Sequence, residues 1–364
     1  MTMLLRAMKR LRPERTDVVL PSYTCYSLAA SVMKAGLRPR LVDINPETLD
    51  FVPGRMERVD HSRTLAIVAT NLYGLPNDLA ALVSVARASG AFLVDDAAQS
   101  MGASTEDGWS GTCGDAGLFS FDKGKPASAI DGGVVVTDSD EIAGTMEFVS
   151  SRKTSTALVD SAVSLAKAAV YAILLRPQLY WLPNRLPFLA LGRTHYSTQF
   201  SIGRPVPFLA ALCVFSLQRL DEFVEARRNN AKALLQALQP LAQVQQIRAA
   251  TGATPSYLRL PMLLRDREAR DRAVLALQQA GFGATASYPS ALVDVPALAE
   301  VMRGQAPESA GGRSVAERLL TLPTHPYVTP ADVRAMSDIL HRVLPSSTGV
   351  SSATVGKLGS ICAE

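Results

Sequence analysis

The sequence predicts an α/β fold built on a mostly parallel sheet, followed by a smaller α+β unit. Two observations carry this. Up to Thr137, short β-rich apolar runs without polar alternation are separated by helical patterns. After Asp138 that alternation gives way to longer helical stretches with few strands. Strands that are apolar on both faces and separated by helices belong in parallel sheets covered on both sides. Such sheets bind ligands at the carboxyl ends of their strands.

The opening stretch, residues 1–11, alternates apolar and basic residues as an amphipathic helix does. Residues 18–21 read as a buried strand and 27–35 as a helix closed by Gly36. Further strands are expected at 41–44, 65–69 and 91–94, the last running into Asp95 and Asp96. A helix over 78–88 precedes that last strand. Strands at 117–121 and 133–137 complete the first unit, and 140–149 is helical. Residues 151–205 read as a diverged insert with several prolines. A long helix is expected over 208–238, then strands at 257–263 and 284–288 and helices near 267–280, 314–320 and 330–343. The expected division is a large unit over 1–205, a connecting helix with a small unit over 206–345, and a disordered tail over 346–364 rich in Ser, Gly and Thr.

Composition narrows the function classes. Of 364 residues, 48% are apolar and 19% charged, enough to bury a sizeable core. The net charge of +4 is spread along the chain without a basic and aromatic stripe, which argues against nucleic-acid binding. The four cysteines, Cys25, Cys113, Cys213 and Cys362, form no CxxC pair, so no metal site is expected and reduced thiols in the cytoplasm are the plain reading. No apolar run is long enough to span a bilayer. The nearest, 161–175, is interrupted by Lys167 and stopped at Arg176-Pro177, so membrane contact is unsupported.

Three segments can carry chemistry. Val94-Asp-Asp-Ala-Ala-Gln99 puts a carboxylate at a strand end. There it could keep the nitrogen of a pyridine cofactor protonated, and it equally fits a capping box, Asp96-x-x-Gln99, for a following helix. Phe119-Ser-Phe-Asp-Lys-Gly-Lys125 offers a hydroxyl for a phosphate oxygen and two amines in one turn, although solvated surface lysines are commoner. Asp131-Gly-Gly133 permits close backbone approach at a strand start, and alone is an ordinary turn.

In order and spacing these segments resemble the DegT/StrS sugar aminotransferases, which are fold-type-I pyridoxal-phosphate enzymes. Pro21-Ser-Tyr-Thr24, Val42-Asp-Ile-Asn-Pro-Glu-Thr-Leu49, Leu72-Tyr-Gly-Leu-Pro76, Gly114-Asp-Ala-Gly117, the 217–223 helix segment and Leu322-Pro-Thr-His-Pro326 extend the likeness over most of the chain. The resemblance implies an aminotransferase-like large domain with a seven-stranded type of sheet and a smaller C-terminal α+β domain. It implies pyridoxal 5'-phosphate as cofactor, glutamate as amino donor, a nucleotide-linked keto sugar as acceptor, and a homodimer. Lys125, five residues after Ser120, would be the Schiff-base lysine, with Lys123 wrongly spaced for that role. Asp96 would meet the pyridine nitrogen, Gln99 the ring oxygen and Ser120 the phosphate, with Thr24 and Cys25 bordering the cofactor. Tyr288, His325 and Arg204 are the substrate candidates, His325 fitting a structural turn equally well.

The chain also departs from the pattern. Cys25 stands where many members place an aromatic ring, and Ile202 where they place a partner-facing asparagine. The resemblance sets Met1 inside the helix whose first turn, a glycine-threonine pair in the family, helps to bind the phosphate. A chain lacking that turn would bind the cofactor more weakly, since each charge-assisted hydrogen bond contributes roughly 1.5–3 kcal/mol. The expected function is amino transfer in surface polysaccharide or lipopolysaccharide synthesis. The departures favour a cofactor-free scaffold or regulatory homologue as the alternative. A related sugar dehydratase is disfavoured, because those members carry histidine at the lysine position.

Overall fold

The computed structural model describes residues 1–151, 163–166, 168–170, 196–203, 206–302 and 309–344. The first helix, α1 (Thr2–Leu11), buries Leu4, Leu5, Ala7 and Met8 and ends in Lys9 and Arg10, which suit the negative end of the helix dipole. Then follow β1 (Asp17–Pro21), α2 (Tyr26–Lys34), β2 (Arg38–Val42), β3 (Thr64–Thr70), α3 (Ala80–Ser89) and β4 (Phe92–Asp96). The small hairpin β5 (Ser104–Thr105) and β6 (Gly108–Trp109) leads into β7 (Ala116–Ser120), β8 (Gly133–Val136) and α4 (Asp140–Ser151).

The main sheet has the order β2-β1-β3-β4-β7-β8. Its first five strands are parallel, and β8 runs antiparallel to β7 on the edge. β1 and β3 are wholly buried, as their apolar runs predicted. The described residues supply six strands to this sheet rather than the seven expected. The chain leaves β1 towards β2 on one side and returns as β3 on the other. The carboxyl ends of β1, β3, β4 and β7 therefore open on one edge, which is the ligand edge of such sheets.

The remaining elements are α5 (Pro207–Leu217), α6 (Leu220–Leu238), β9 (Val244–Gln246), β10 (Arg259–Leu264), α7 (Arg267–Gln279), α8 (Pro296–Ala299), α9 (Ala310–Arg318), β11 (Leu319–Pro323) and α10 (Pro330–Val343). The single long helix expected over 208–238 is two helices, separated at Gln218–Arg219. The strand expected at 284–288 is reduced to one bridge, Thr285 to Thr321, because Ser287 takes a left-handed φ of 58° that a strand cannot hold. β11 replaces the end of the helix expected at 314–320. β9, β10 and β11 form an antiparallel sheet covered by α6, α7 and α10 around Leu234, Met262, Leu277, Leu320, Met336 and Leu340. Leu292, Val295, Leu298 and Val315 instead join the main core with Leu20, Tyr23 and Val68.

Candidate active site

Strand alternation sends the two aspartates of β4 to opposite faces. Asp95 is fully buried. Its Oδ1 accepts from Asn71 Nδ2 at 2.7 Å, and its Oδ2 from the backbone N–H of Gly111 at 2.6 Å and of Cys113 at 3.2 Å. It therefore ties the loop before β7 to the end of β3. Gly111 and Gly117 lie in such close contact that a Cβ on Gly117 would sit 1.7 Å from the Gly111 carbonyl oxygen. Asp95 thus sets the path of β7 from behind.

Asp96 faces the open edge. No helix follows it, and residues 97–102 form turns, so the capping-box alternative fails. Its Oδ1 accepts from Ala98 N–H at 3.0 Å. Among the described residues Oδ2 accepts no hydrogen bond. Burial pushes the carboxyl pKa up, opposed by the Ala98 N–H, the Met1 amino group and the Lys125 amine. Charges at the first turn of α1 and in the turn after β7 therefore both act on Asp96.

That turn carries both lysines. Lys125 N–H donates to the Asp122 carbonyl at 3.2 Å, across Gly124. Burial pushes the Lys125 amine pKa down, while Cys25, Asp96 and Asp122 hold it up. Lys123 is exposed. Lys125, and not Lys123, thus stands where its charge acts on Asp96. Ser120 closes β7, and its Oγ accepts from Asp122 N–H at 3.3 Å, which leaves its hydroxyl proton to donate. Thr24 is buried beyond β1. Cys25 stands at the start of α2, its Sγ 3.0 Å from Ser27 Oγ and in contact with the Tyr288 hydroxyl.

Gln99 is held at both ends. Its Oε1 accepts from Tyr73 N–H at 3.0 Å, and its Nε2 donates to Tyr288 Oη at 2.8 Å. The Tyr288 ring packs 5.6 Å from that of Tyr23 and 5.9 Å from that of Tyr26. Burial pushes the Tyr73 hydroxyl up to about 12. Tyr73 has φ 60°, and Gly74 follows at φ 83°, pressed against the backbone of Tyr257 and Leu258. Only glycine fits that approach. His325 stands apart, with Tyr327, Arg227 and Arg259 as its neighbours; partial burial and the two guanidiniums push its pKa down to about 4. Arg204 lies outside the described residues.

Sequence reasoning missed the Tyr73 backbone contact and Arg227. The Arg227 guanidinium is buried and donates to the Leu258 carbonyl at 2.8 Å and to the Gly124 carbonyl at 3.5 Å, beside Lys125. Its position on the buried stripe Val224, Arg227, Ala231, Leu234 was the available signal. A cavity of about 340 Å³ lined by Arg12, Arg87, Gly90 and Cys113 lies at the amino end of β4, away from this chemistry. Among the described residues no His, Cys, Asp and Glu group could hold a metal ion.

A sequence model of the DegT/DnrJ/EryC1/StrS aminotransferase family matches residues 1–162 and 204–341. The chain belongs to this family. A pleiotropic regulatory protein of Geobacillus stearothermophilus is 34% identical over 128 residues, 35% of this chain and 34% of that protein. GDP-perosamine synthase of Caulobacter vibrioides is 34% identical over 133 residues, 36% of each chain. The chain thus spans about a third of the length of these relatives. The E. coli GDP-4-keto-6-deoxy-D-mannose-3-dehydratase, solved with bound hydrated pyridoxal phosphate, superposes with a TM-score of 0.69 at 19% identity. The superposition covers 93% of this chain and 84% of that one, a likeness of fold.

The DegT/StrS family depends on pyridoxal phosphate, and the residues present here fit that group. Lys125 offers an amine whose proton burial loosens, and Asp96 has an oxygen left for a ring nitrogen. Gln99 and Ser120 have protons left to donate.

Proposed function

We propose that the protein is a pyridoxal-phosphate-dependent aminotransferase. It moves an amino group from glutamate to a nucleotide-linked keto sugar, in cytoplasmic synthesis of a surface polysaccharide or lipopolysaccharide. The observation that carries this reading is the Lys125 amine, half-buried and within electrostatic range of Asp96 where β4 and β7 end. When bound, pyridoxal phosphate supplies a ring that accepts the electrons left as a substrate carbon loses its proton. Lys125 would hold the cofactor through its amine, and that amine would take and return the proton of the substrate carbon. Asp96 keeps the ring nitrogen protonated, Gln99 donates to the ring oxygen, and Ser120 donates to the phosphate. Thr24 and Cys25 border the cofactor. Tyr288 lines the entrance, and Arg204 and His325 are the remaining substrate candidates.

Support for the acceptor class comes from GDP-perosamine synthase, whose name carries a nucleotide-linked sugar. Support for a homodimer comes from α5, an apolar helix in which Leu209 is buried while Val214 and Phe215 are 61% and 63% exposed. Support for the large and small domains comes from the two sheets with their separate clusters. No helix among the described residues is long and apolar enough to cross a membrane. Titration of the chain with pyridoxal phosphate tests the reading. A visible absorbance band is expected in the wild type and its loss in Lys125→Ala, and a band unchanged in Lys125→Ala overturns the assignment.

The likeness to a regulatory protein favours a second reading, a family member that regulates without amino transfer. Amino transfer from glutamate to a keto sugar nucleotide separates the two. A chain that binds the cofactor and transfers nothing across a panel of such sugars supports the second.

A further inference from the structure

The side chain of Gln99 has only one orientation compatible with its neighbours. A backbone N–H can only donate, so the 3.0 Å contact with Tyr73 N–H identifies that end of the amide as oxygen. The nitrogen then faces Tyr288 Oη at 2.8 Å. An amide nitrogen carries two protons. Tyr288 takes one, and one is left.

Tyr288 is itself firmly placed. It is 8% exposed, packed between the rings of Tyr23 and Tyr26, and its N–H lies 3.4 Å from Tyr23 Oη. The residue before it, Ser287, and the residue that holds the other end of Gln99, Tyr73, both have left-handed φ, 58° and 60°. The Tyr73 hydroxyl contacts the Ser287 side chain. One left-handed residue, Tyr73, thus holds the amide, and another, Ser287, precedes the tyrosine that holds its other end; strain of this kind persists where the surroundings over-determine it.

We propose that Tyr288 is a positioning residue that acts through Gln99. By taking one amide proton it commits the other to the ring oxygen of the cofactor, and so sets how readily that oxygen and the linked amine of Lys125 exchange protons. The segment after α7 is thereby coupled to the cofactor without touching it. The inference rests on the reading that Lys125 and Asp96 hold pyridoxal phosphate.

A double-substitution cycle on the full chain tests it, with Tyr288→Phe and Gln99→Ala singly and together. The readouts are the cofactor dissociation constant and the pH midpoint of the bound-cofactor absorbance. Tyr288→Phe is expected to keep the band, weaken cofactor binding about fivefold, as one hydrogen bond does, and shift the pH midpoint. In the Gln99→Ala background the same substitution is expected to have a much smaller effect, limited to what the Tyr288 contact with Cys25 carries. Equal effects in both backgrounds, or none in the wild-type background, overturn the proposal. If Tyr288→Phe loses its thermal transition, Gln99→Glu decides. It keeps the acceptor for Tyr73 and removes the donor, so the pH midpoint must shift with Tyr288 intact, and an unshifted midpoint overturns the proposal. A wild-type chain without any band overturns the cofactor reading itself, before Tyr288 is touched.

Discussion

Asp95→Ala removes an acceptor from three donors in a fully buried position. Asn71 Nδ2 keeps a second bond, to the Asp96 carbonyl at 3.0 Å. The N–H groups of Gly111 and Cys113 lose the carboxylate they donate to. An orphaned buried donor costs about 1–3 kcal/mol; Gly111 is buried and Cys113 half-buried, which puts the loss at about 3 kcal/mol. The damage should travel, because the loop released is the one packed on Gly117 of β7, three residues before Ser120. Urea unfolding measures the stability, and absorbance of added pyridoxal phosphate reports the site. The expectation is a loss of about 3 kcal/mol with weaker cofactor binding. A loss below about 1 kcal/mol with unchanged binding would refute the claim that Asp95 sets the path of β7.

Further outcomes follow from single residues. Asp50 is held at a pKa of about 6, chiefly by burial, so the folded state retains a proton that the unfolded state releases above the ordinary carboxylate value of 3.8. Stability should therefore fall as pH rises from about 4 to about 6 and stay level above, and Asp50→Asn should gain up to about 3 kcal/mol at pH 7.5 with little gain at pH 4 in thermal melts. Gly74→Ala puts a Cβ 2.6 Å from Tyr257 N at φ 83°, and should cost about 3 kcal/mol and loosen Tyr73 from Gln99. Phe215→Asp on the exposed face of α5 should shift the sedimentation of the chain towards a monomer while its circular dichroism stays unchanged.

Much of the architecture was legible in the sequence because buried parallel strands leave uninterrupted apolar runs. The runs that became β1, β3 and β4 could hardly be anything else. Where the sequence misled, tertiary contacts had overruled local pattern. The 284–288 stretch looks like a strand, yet Ser287 turns left-handed to aim Tyr288 at Gln99. β9 is only Val244–Gln246, too short and polar to announce itself. The long helical pattern over 208–238 hid a break, because neither Gln218 nor Arg219 is a helix breaker. The candidate site was proposed from the sequence at Lys125 and Asp96, where the chemistry would need particular residue types at strand ends. It was not legible at Tyr73, whose contribution is a backbone N–H, nor at Arg227, whose partners are carbonyl oxygens. Backbone groups carry no signature in a sequence.

On the proposed reading, the turn after β7 delivers Lys125, and not Lys123, to a pyridoxal phosphate paired with Asp96. The most direct test is reduction of the cofactor-loaded chain with borohydride, followed by proteolysis and mass spectrometry of the turn peptide. The cofactor mass is expected on Lys125 alone, and Asp96→Ala should lower the labelled fraction. Label on Lys123, or equal label on both lysines, would contradict the account.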